Sequence, residues 1–258
     1  MIDGHVHLER GPYTMEWLNR FVDTAIHRGI NELYLLEHSH RFIEFKGIYN
    51  DINPESYFGK WLDTKLKVPL DDYINFIETA HSVKYPIEIR FGLEVCYFER
   101  HEEEIHKLIH GYPFDFITGS VHYIDGWAFD HKPEHWSGRD VDATYVRYYE
   151  IMSNLIKSGL FDILAHPDSI KCFDNYPSID LTESYKNIAD LLVLSGVKAE
   201  HSAGLHMNYK HSSLGMNKTM LQVFKKAGVD MITASDAHRP EDVGKFIKEM
   251  EQILNNEQ

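Results

Sequence analysis

Seven short runs rich in apolar and β-branched residues recur along the chain, each followed by a longer stretch of helical periodicity. That alternation constrains the fold more than any other feature. Consecutive parallel strands need a crossover connection, usually a helix. The pattern predicts strands over residues 2–7, 32–37, 87–95, 114–121, 161–165, 197–202 and 229–235. It predicts helices over 15–28, 70–83, 102–109, 144–157, 184–194, 219–227 and 240–254. Thr14 is placed to cap the first helix, and Gly29, Gly159, Gly196 and Gly228 sit just past helix ends. Seven repeats in 258 residues fit a seven-stranded barrel or an open doubly wound sheet. No Pro/Ser-rich linker divides the chain, so one domain over 1–258 is expected. The aperiodic stretches 43–67 and 126–142 read as long loops over one end of it.

The polar residues closing the predicted strands carry the chemistry. Strand one ends Asp3-Gly4-His5-Val6-His7, and side chains at i and i+2 share a strand face. Strand two ends at Glu37-His38 and strand three at Glu94. Strand four runs into His122 and strand five into His166. Strand seven runs into Asp236-Ala237-His238. In a β/α barrel those strand ends converge on the active-site face. His-x-His alone is common by chance; the joint pattern is not. Imidazole and carboxylate donors suit Zn²⁺, Mn²⁺, Fe²⁺ or Co²⁺. Cys96 and Cys172 offer no paired thiolate site and read as free thiols. Eight donors exceed what one ion takes, so a multinuclear site is expected.

Net charge is −14 with no evident basic face, which counts against a nucleic-acid partner. Bound cations can reverse the local sign, so an anionic small molecule remains a suitable substrate. No apolar run approaches the ~20 residues that cross a bilayer, and no signal peptide is evident, so no membrane partner and a cytoplasmic location are expected.

This set of motifs resembles the PHP family, named for polymerase and histidinol phosphatase, over almost the whole chain. The resemblance implies an α/β fold, a distorted seven-stranded (β/α)7 TIM-like barrel. Two longer stretches look like its histidinol-phosphate phosphatase branch. One is Tyr112-Pro113-Phe114-Asp115 leading into Gly119-Ser120-Val121-His122-Tyr123. The other runs from Ser235-Asp236-Ala237-His238-Arg239 through Pro240-Glu241-Asp242-Val243-Gly244. The resemblance implies two or three divalent ions (Zn, Mn or Fe). His5, His7, Glu94 and Asp236 would hold the first. Glu94, as a bridge, with His122 and His166 would hold the second. His38 and His238 would hold the third. The family often adds a histidine to the third ion from the loop after strand one. Here that loop is Leu8-Glu9-Arg10-Gly11-Pro12-Tyr13, and Glu9 is the nearest substitute.

The implied reaction is hydrolysis of L-histidinol phosphate to L-histidinol and phosphate, a step of histidine biosynthesis. Glu94 and Asp236 would serve catalysis by holding the ions, whose joint effect is to make hydroxide from a bridging water at neutral pH. His201, ending strand six, is expected to face substrate or nucleophile. Arg239, Lys171 and Arg41 are candidate phosphate contacts. Asp130, in the 127–136 loop, is the candidate partner for a cationic substrate. Each of these has a plainer reading as a surface ion pair or packing residue. His40 reads as a loop histidine, and His101, His106 and His110 as a solvated helix face. Competing readings are another phosphoesterase of the family (nucleotidase, exonuclease or phosphotyrosine phosphatase), a noncatalytic metal-binding module, and an amidohydrolase. The last would want a lysine at a mid-barrel strand end, and none stands there.

Overall fold

The computed structural model describes residues 1–256. Strand β1 (Ile2–His7) leads into α1 (Met15–His27), and β2 (Glu32–His38) into α2 (Tyr57–Lys65) and α3 (Leu70–His81). Strand β3 (Glu88–Cys96) precedes α4 (Glu102–His110). Strand β4 (Phe116–Ser120) is followed by the short strands β5 (Tyr123–Ile124) and β6 (Trp127–Ala128) and by α5 (Val141–Lys157). Then come β7 (Ile163–Leu164), α6 (Thr182–Ser195), β8 (Lys198–Ser202), α7 (Gly204–Tyr209), α8 (Lys218–Ala227), β9 (Met231–Ala234) and α9 (Ile247–Asn255).

Seven strands pair in parallel in the order β1-β2-β3-β4-β7-β8-β9. The ring closes where β1 meets the segment after β9. Val6 bridges Ala237, the Asp236 amide donates to the His5 carbonyl at 2.9 Å, and the His7 amide donates to the Ala237 carbonyl at 2.8 Å. The buried Asp3 carboxylate strengthens this seam. It accepts from the Ser235 amide (2.8 Å), the Ser235 hydroxyl (2.7 Å) and the Gly244 amide (2.7 Å). The result is a nearly closed, distorted (β/α)7 barrel.

Two apolar clusters follow from strand alternation. Leu33 and Leu35 of β2 face the main core under the helices, while Tyr34 and Leu36 join Phe116, Ile163 and Ile232 in a small separate cluster. That small cluster plugs the barrel interior below the polar strand ends. Gly92 is part of its fit: a Cβ there would fall 2.6 Å from the Phe116 ring.

Helix ends are where the pattern placed them within a few residues. Thr14 caps α1, accepting from the Trp17 amide, and Gly228 caps α8 at φ 81°. Three segments differ from expectation. The stretch 43–67 carries a 3-10 turn (Ile43–Tyr49) and α2. Residues 204–209 form a short helix that no periodicity announced. The helix expected over 240–254 is interrupted, leaving a 3-10 turn (Pro240–Asp242) and α9. Gly244 and Phe246 take positive φ there, and the turn presents the Gly244 amide to Asp3.

Candidate metal centre

A β-bulge aims the first two histidines. Between Asp3 and Val6 the β1 strand has two residues against one on β2, so its register shifts. An extra residue reverses which face the following side chains take. Ile2 packs on the interior plug, and beyond the bulge His5 and His7 also point inward, with both rings fully buried. Backbone strain accompanies two further site residues. His166 and Asp236 leave their strands at φ 26° and 56°, a region that non-glycine residues seldom occupy and that recurs at functional sites.

Glu94 stands at the centre of the strand ends, 1% exposed. Its Oε2 faces His38 Nδ1 at 2.7 Å, His5 Nε2 at 3.4 Å and His7 Nε2 at 3.5 Å. Asp236 Oδ1 lies 3.9 Å from His5 Nε2 and 3.7 Å from His7 Nε2. The Nε2 atoms of His5 and His7 thus lie between the Glu94 and Asp236 carboxylates; His5, His7 and Asp236 form one compact donor group, and His5, Glu94 and His166 another. Glu94 Oε1 faces the other way, toward His122 Nε2 at 2.9 Å and His166 Nε2 at 3.2 Å. At the opposite rim, His7, His38 and His238 form a third donor group, and Glu9, His38 and His40 a fourth that shares His38.

These donors fit divalent cations better than they fit one another. Glu94 Oε2 is buried and makes no hydrogen bond although three imidazoles surround it. The Nε2 atoms of His5 and His7 face each other at 2.9 Å. A cation between such groups replaces nitrogen–nitrogen contacts with coordination. The same crowding perturbs ionisation in the metal-free chain. Burial raises the Glu94 carboxyl, but the charges on His38 and His5 outweigh it and hold the group well below the usual carboxylate range. Burial, then the charges on His38 and His238, push His7 down. Burial opposes charge on His238, but hydrogen bonds to Asp236 and Glu9 prevail and push it up to about 9.

Three carboxylates stand against the histidines of these donor groups. Each accepts from the Nδ1 of one histidine: Glu200 from His5 at 2.7 Å, Asp130 from His122 at 2.7 Å, and Glu9 from His238 at 2.8 Å. A carboxylate oxygen only accepts, so Nδ1 carries the proton and Nε2 is left to bind. Asp130 therefore meets His122 through Oδ2, while it also lines both cavities. Glu9 accepts from His238 and stands with His38 and His40 in the fourth donor group.

Several other expectations are corrected by the geometry. His201 faces away from the donors. On β8, Glu200 and His201 alternate, and Glu200 takes the inward face while His201 accepts from the Met216 amide at 3.3 Å. Burial, then the Lys171 charge, push its pKa down to about 4. Lys171 is buried, paired with Asp168 at 2.6 Å and donating to the Gly215 carbonyl, so it does not reach a phosphate. Arg41 braces the loop after β1. It donates to the Glu9 carbonyl at 2.6 Å and lies 3.5 Å from the buried Glu37. Arg239 is exposed beside His238. His40 stacks on His38 at 4.5 Å and belongs with the site, although its position past the strand suggested a loop.

Two cavities meet at the donors. One is lined by His122, His166, Asp236, Tyr209 and Glu200, the other by Glu9, His38, His40, Trp61 and Tyr209.

The comparisons agree with this architecture. A relative from Deinococcus radiodurans named "Probable histidinol-phosphatase" is 25% identical over 201 residues, covering 72% of each chain. A histidinol-phosphatase from Bacillus subtilis is 23% identical across 94% of this chain and 95% of its own. The crystal structure of a Lactococcus lactis histidinol phosphate phosphatase, complexed with Zn, L-histidinol and phosphate, superposes with a TM-score of 0.69 at 20% identity. It covers 96% of this chain and 93% of the other. The profile of the PHP domain matches residues 3–197, most of the chain, and includes the strand ends that carry His5, His7, His38, Glu94, His122 and His166; this chain belongs to the PHP family.

Proposed function

We propose that the protein is a metal-dependent phosphomonoesterase that hydrolyses L-histidinol phosphate to L-histidinol and phosphate. The observation that carries the reading is Glu94, whose two buried oxygens face two different histidine groups. The histidinol-phosphatase names of the relatives, and the histidinol and phosphate held by the Lactococcus lactis protein, support the choice of substrate.

His5, His7, Glu94 and Asp236 would hold one ion, Glu94, His122 and His166 a second, and His38 and His238, with Glu9 or His40, a third. Divalent ions at these donors supply positive charge against phosphate oxygens and acidify water in the site. The chain's own residues then position and enclose the ester. Asp130, Glu200 and Glu9 keep the histidine rings oriented. Tyr209 borders both cavities, and burial pushes its hydroxyl pKa up so that it stays a hydrogen-bond donor toward an ester oxygen. With His201 turned away, Tyr209 is the side chain best placed to bear on the leaving group.

Phosphate release decides between this reading and others in the family. Histidinol phosphate, p-nitrophenyl phosphate, mononucleotides and short DNA are assayed with Mn²⁺, with Zn²⁺ and after chelation. The proposal expects metal-dependent release with histidinol phosphate preferred. A large preference for nucleotides or DNA would overturn the substrate. Full release by protein shown to be metal-free would overturn the chemistry.

A further inference from the structure

Glu200 was not among the residues that the motifs single out, yet it is the most completely engaged carboxylate behind the metal donors. It is fully buried. Its Oε1 accepts from His5 Nδ1 at 2.7 Å, and its Oε2 accepts from the His166 backbone amide at 3.0 Å. His5 belongs to the first donor group and His166 to the second. His166 is also the residue held at φ 26°, so the Glu200 contact to its amide fastens a strained turn. One side chain thus fixes the tautomer of a ligand in one group and the backbone of a ligand in the other.

We infer that Glu200 is a positioning residue that holds His5 and His166, one side chain from each of the two donor groups that meet at Glu94, in the form that would bind metal. It acts by keeping the proton on His5 Nδ1 and the His166 turn in its strained form. Two acceptors are needed at once at separate positions, and an ionised carboxylate offers both with no donor hydrogen. Glutamine cannot reproduce this. With its oxygen toward His166, its amide hydrogens meet His5 Nδ1 and favour the opposite tautomer. With its oxygen toward His5, two donors face each other at His166. Partners of this kind typically alter metal affinity by about 10–100-fold.

The inference rests on the metal-ligand reading but not on the identity of the substrate, so its readouts are metal affinity and imidazole tautomer. Zinc-loaded parent protein labelled at histidine nitrogen should show a His5 signal with Nδ1 protonated and Nε2 coordinated, assigned by its disappearance in His5→Gln. Glu200→Gln should lower zinc affinity about 10–100-fold and remove or reverse that signature while circular dichroism stays parental. Glu200→Asp keeps the charge and should recover part of the affinity. A His5 coordinated through Nδ1 in the parent would overturn the inference. So would parental affinity and an unchanged spectrum in Glu200→Gln. If Glu200→Gln does not fold, Glu200→Asp decides: parental zinc affinity there would overturn the inference, and a loss smaller than tenfold with the Nδ1 proton retained would support it.

Discussion

Replacing Glu94 by Gln keeps the side-chain volume and one acceptor oxygen but removes the charge shared by two donor groups. The structure sets the size of the effect. Glu94 Oε2 faces His38, His5 and His7 within 3.5 Å, and Oε1 faces His122 and His166 within 3.2 Å. Each ion therefore loses one of three or four protein ligands. Four-ligand zinc sites bind with roughly 10–16 kcal/mol, or about 2.5–4 kcal/mol per ligand on equal sharing. At about 1.4 kcal/mol per decade, that is two to three orders of magnitude in affinity at each of two sites. The remaining amide oxygen is a weak ligand, so the lower end, about 100-fold, is expected. Equilibrium dialysis with metal analysis reads the affinity, and phosphate release reads turnover on the same samples. Both should fall together, and excess metal should restore part of the turnover. The barrel plug of Tyr34, Leu36, Phe116, Ile163 and Ile232 does not include Glu94, so the fold should persist. Glu94→Gln holding two equivalents at parental affinity with parental turnover would refute the bridging role.

Four further outcomes follow from the geometry. Asp130→Asn should weaken the ion at His122 by about 10–100-fold and lower turnover on histidinol phosphate and p-nitrophenyl phosphate by one common factor; a KM effect confined to histidinol phosphate would mean that Asp130 meets the substrate. Glu9→Gln should reduce occupancy at one ion and leave the other two unchanged, and three equivalents at parental affinity would remove Glu9 from the site. Lys171→Met leaves Asp168 buried without its cation and should cost about 3–5 kcal/mol in denaturant unfolding with KM unchanged; a raised KM at parental stability would return Lys171 to the phosphate. Burial pushes the Glu37 carboxyl up to about 8 from 4.5, so between those values the folded chain holds a proton that the unfolded chain has released. Stability attributable to Glu37 is present at low pH and lost as pH rises through that window. The Tm of Glu37→Gln should therefore gain on the parent from about pH 5 to about pH 9, and a constant difference would contradict the shift.

The barrel and the gathering of His, Glu and Asp side chains at its strand ends were legible because they depend on period. Seven strand–helix alternations specify a parallel sheet, and polar residues at strand ends specify one face. What was hidden depends on phase and on long-range contacts. The bulge after Asp3 turns His5 and His7 inward, and nothing local in Asp3-Gly4-His5 announces an extra residue. On β8 the eye is drawn to His201 at the strand end, but the neighbouring Glu200 takes the inward face, where its partners are 195 and 34 residues away. Counting alternate positions back from Ser202 would have favoured Glu200. Lys171 is paired with Asp168 three residues before it, a contact made by the 3-10 turn after β7 that strand-end polarity does not record. The broken helix after Arg239 answers to the buried Asp3, which no periodicity in 240–254 records. The hairpin of β5 and β6 was available in principle: Asp125-Gly126, with φ of 47° and 88°, is a type I′ turn pair lying at the edge of what was read as loop.

Under the proposed function, ions held about Glu94 are required for phosphoester hydrolysis. Metal-free protein is titrated with Mn²⁺ while bound metal and phosphate release from histidinol phosphate are measured on the same samples. The structure predicts no release without metal and a rise in turnover that tracks filling of the two sites that share Glu94. Parental turnover in protein that contains no metal, or turnover indifferent to how many ions are bound, would contradict it.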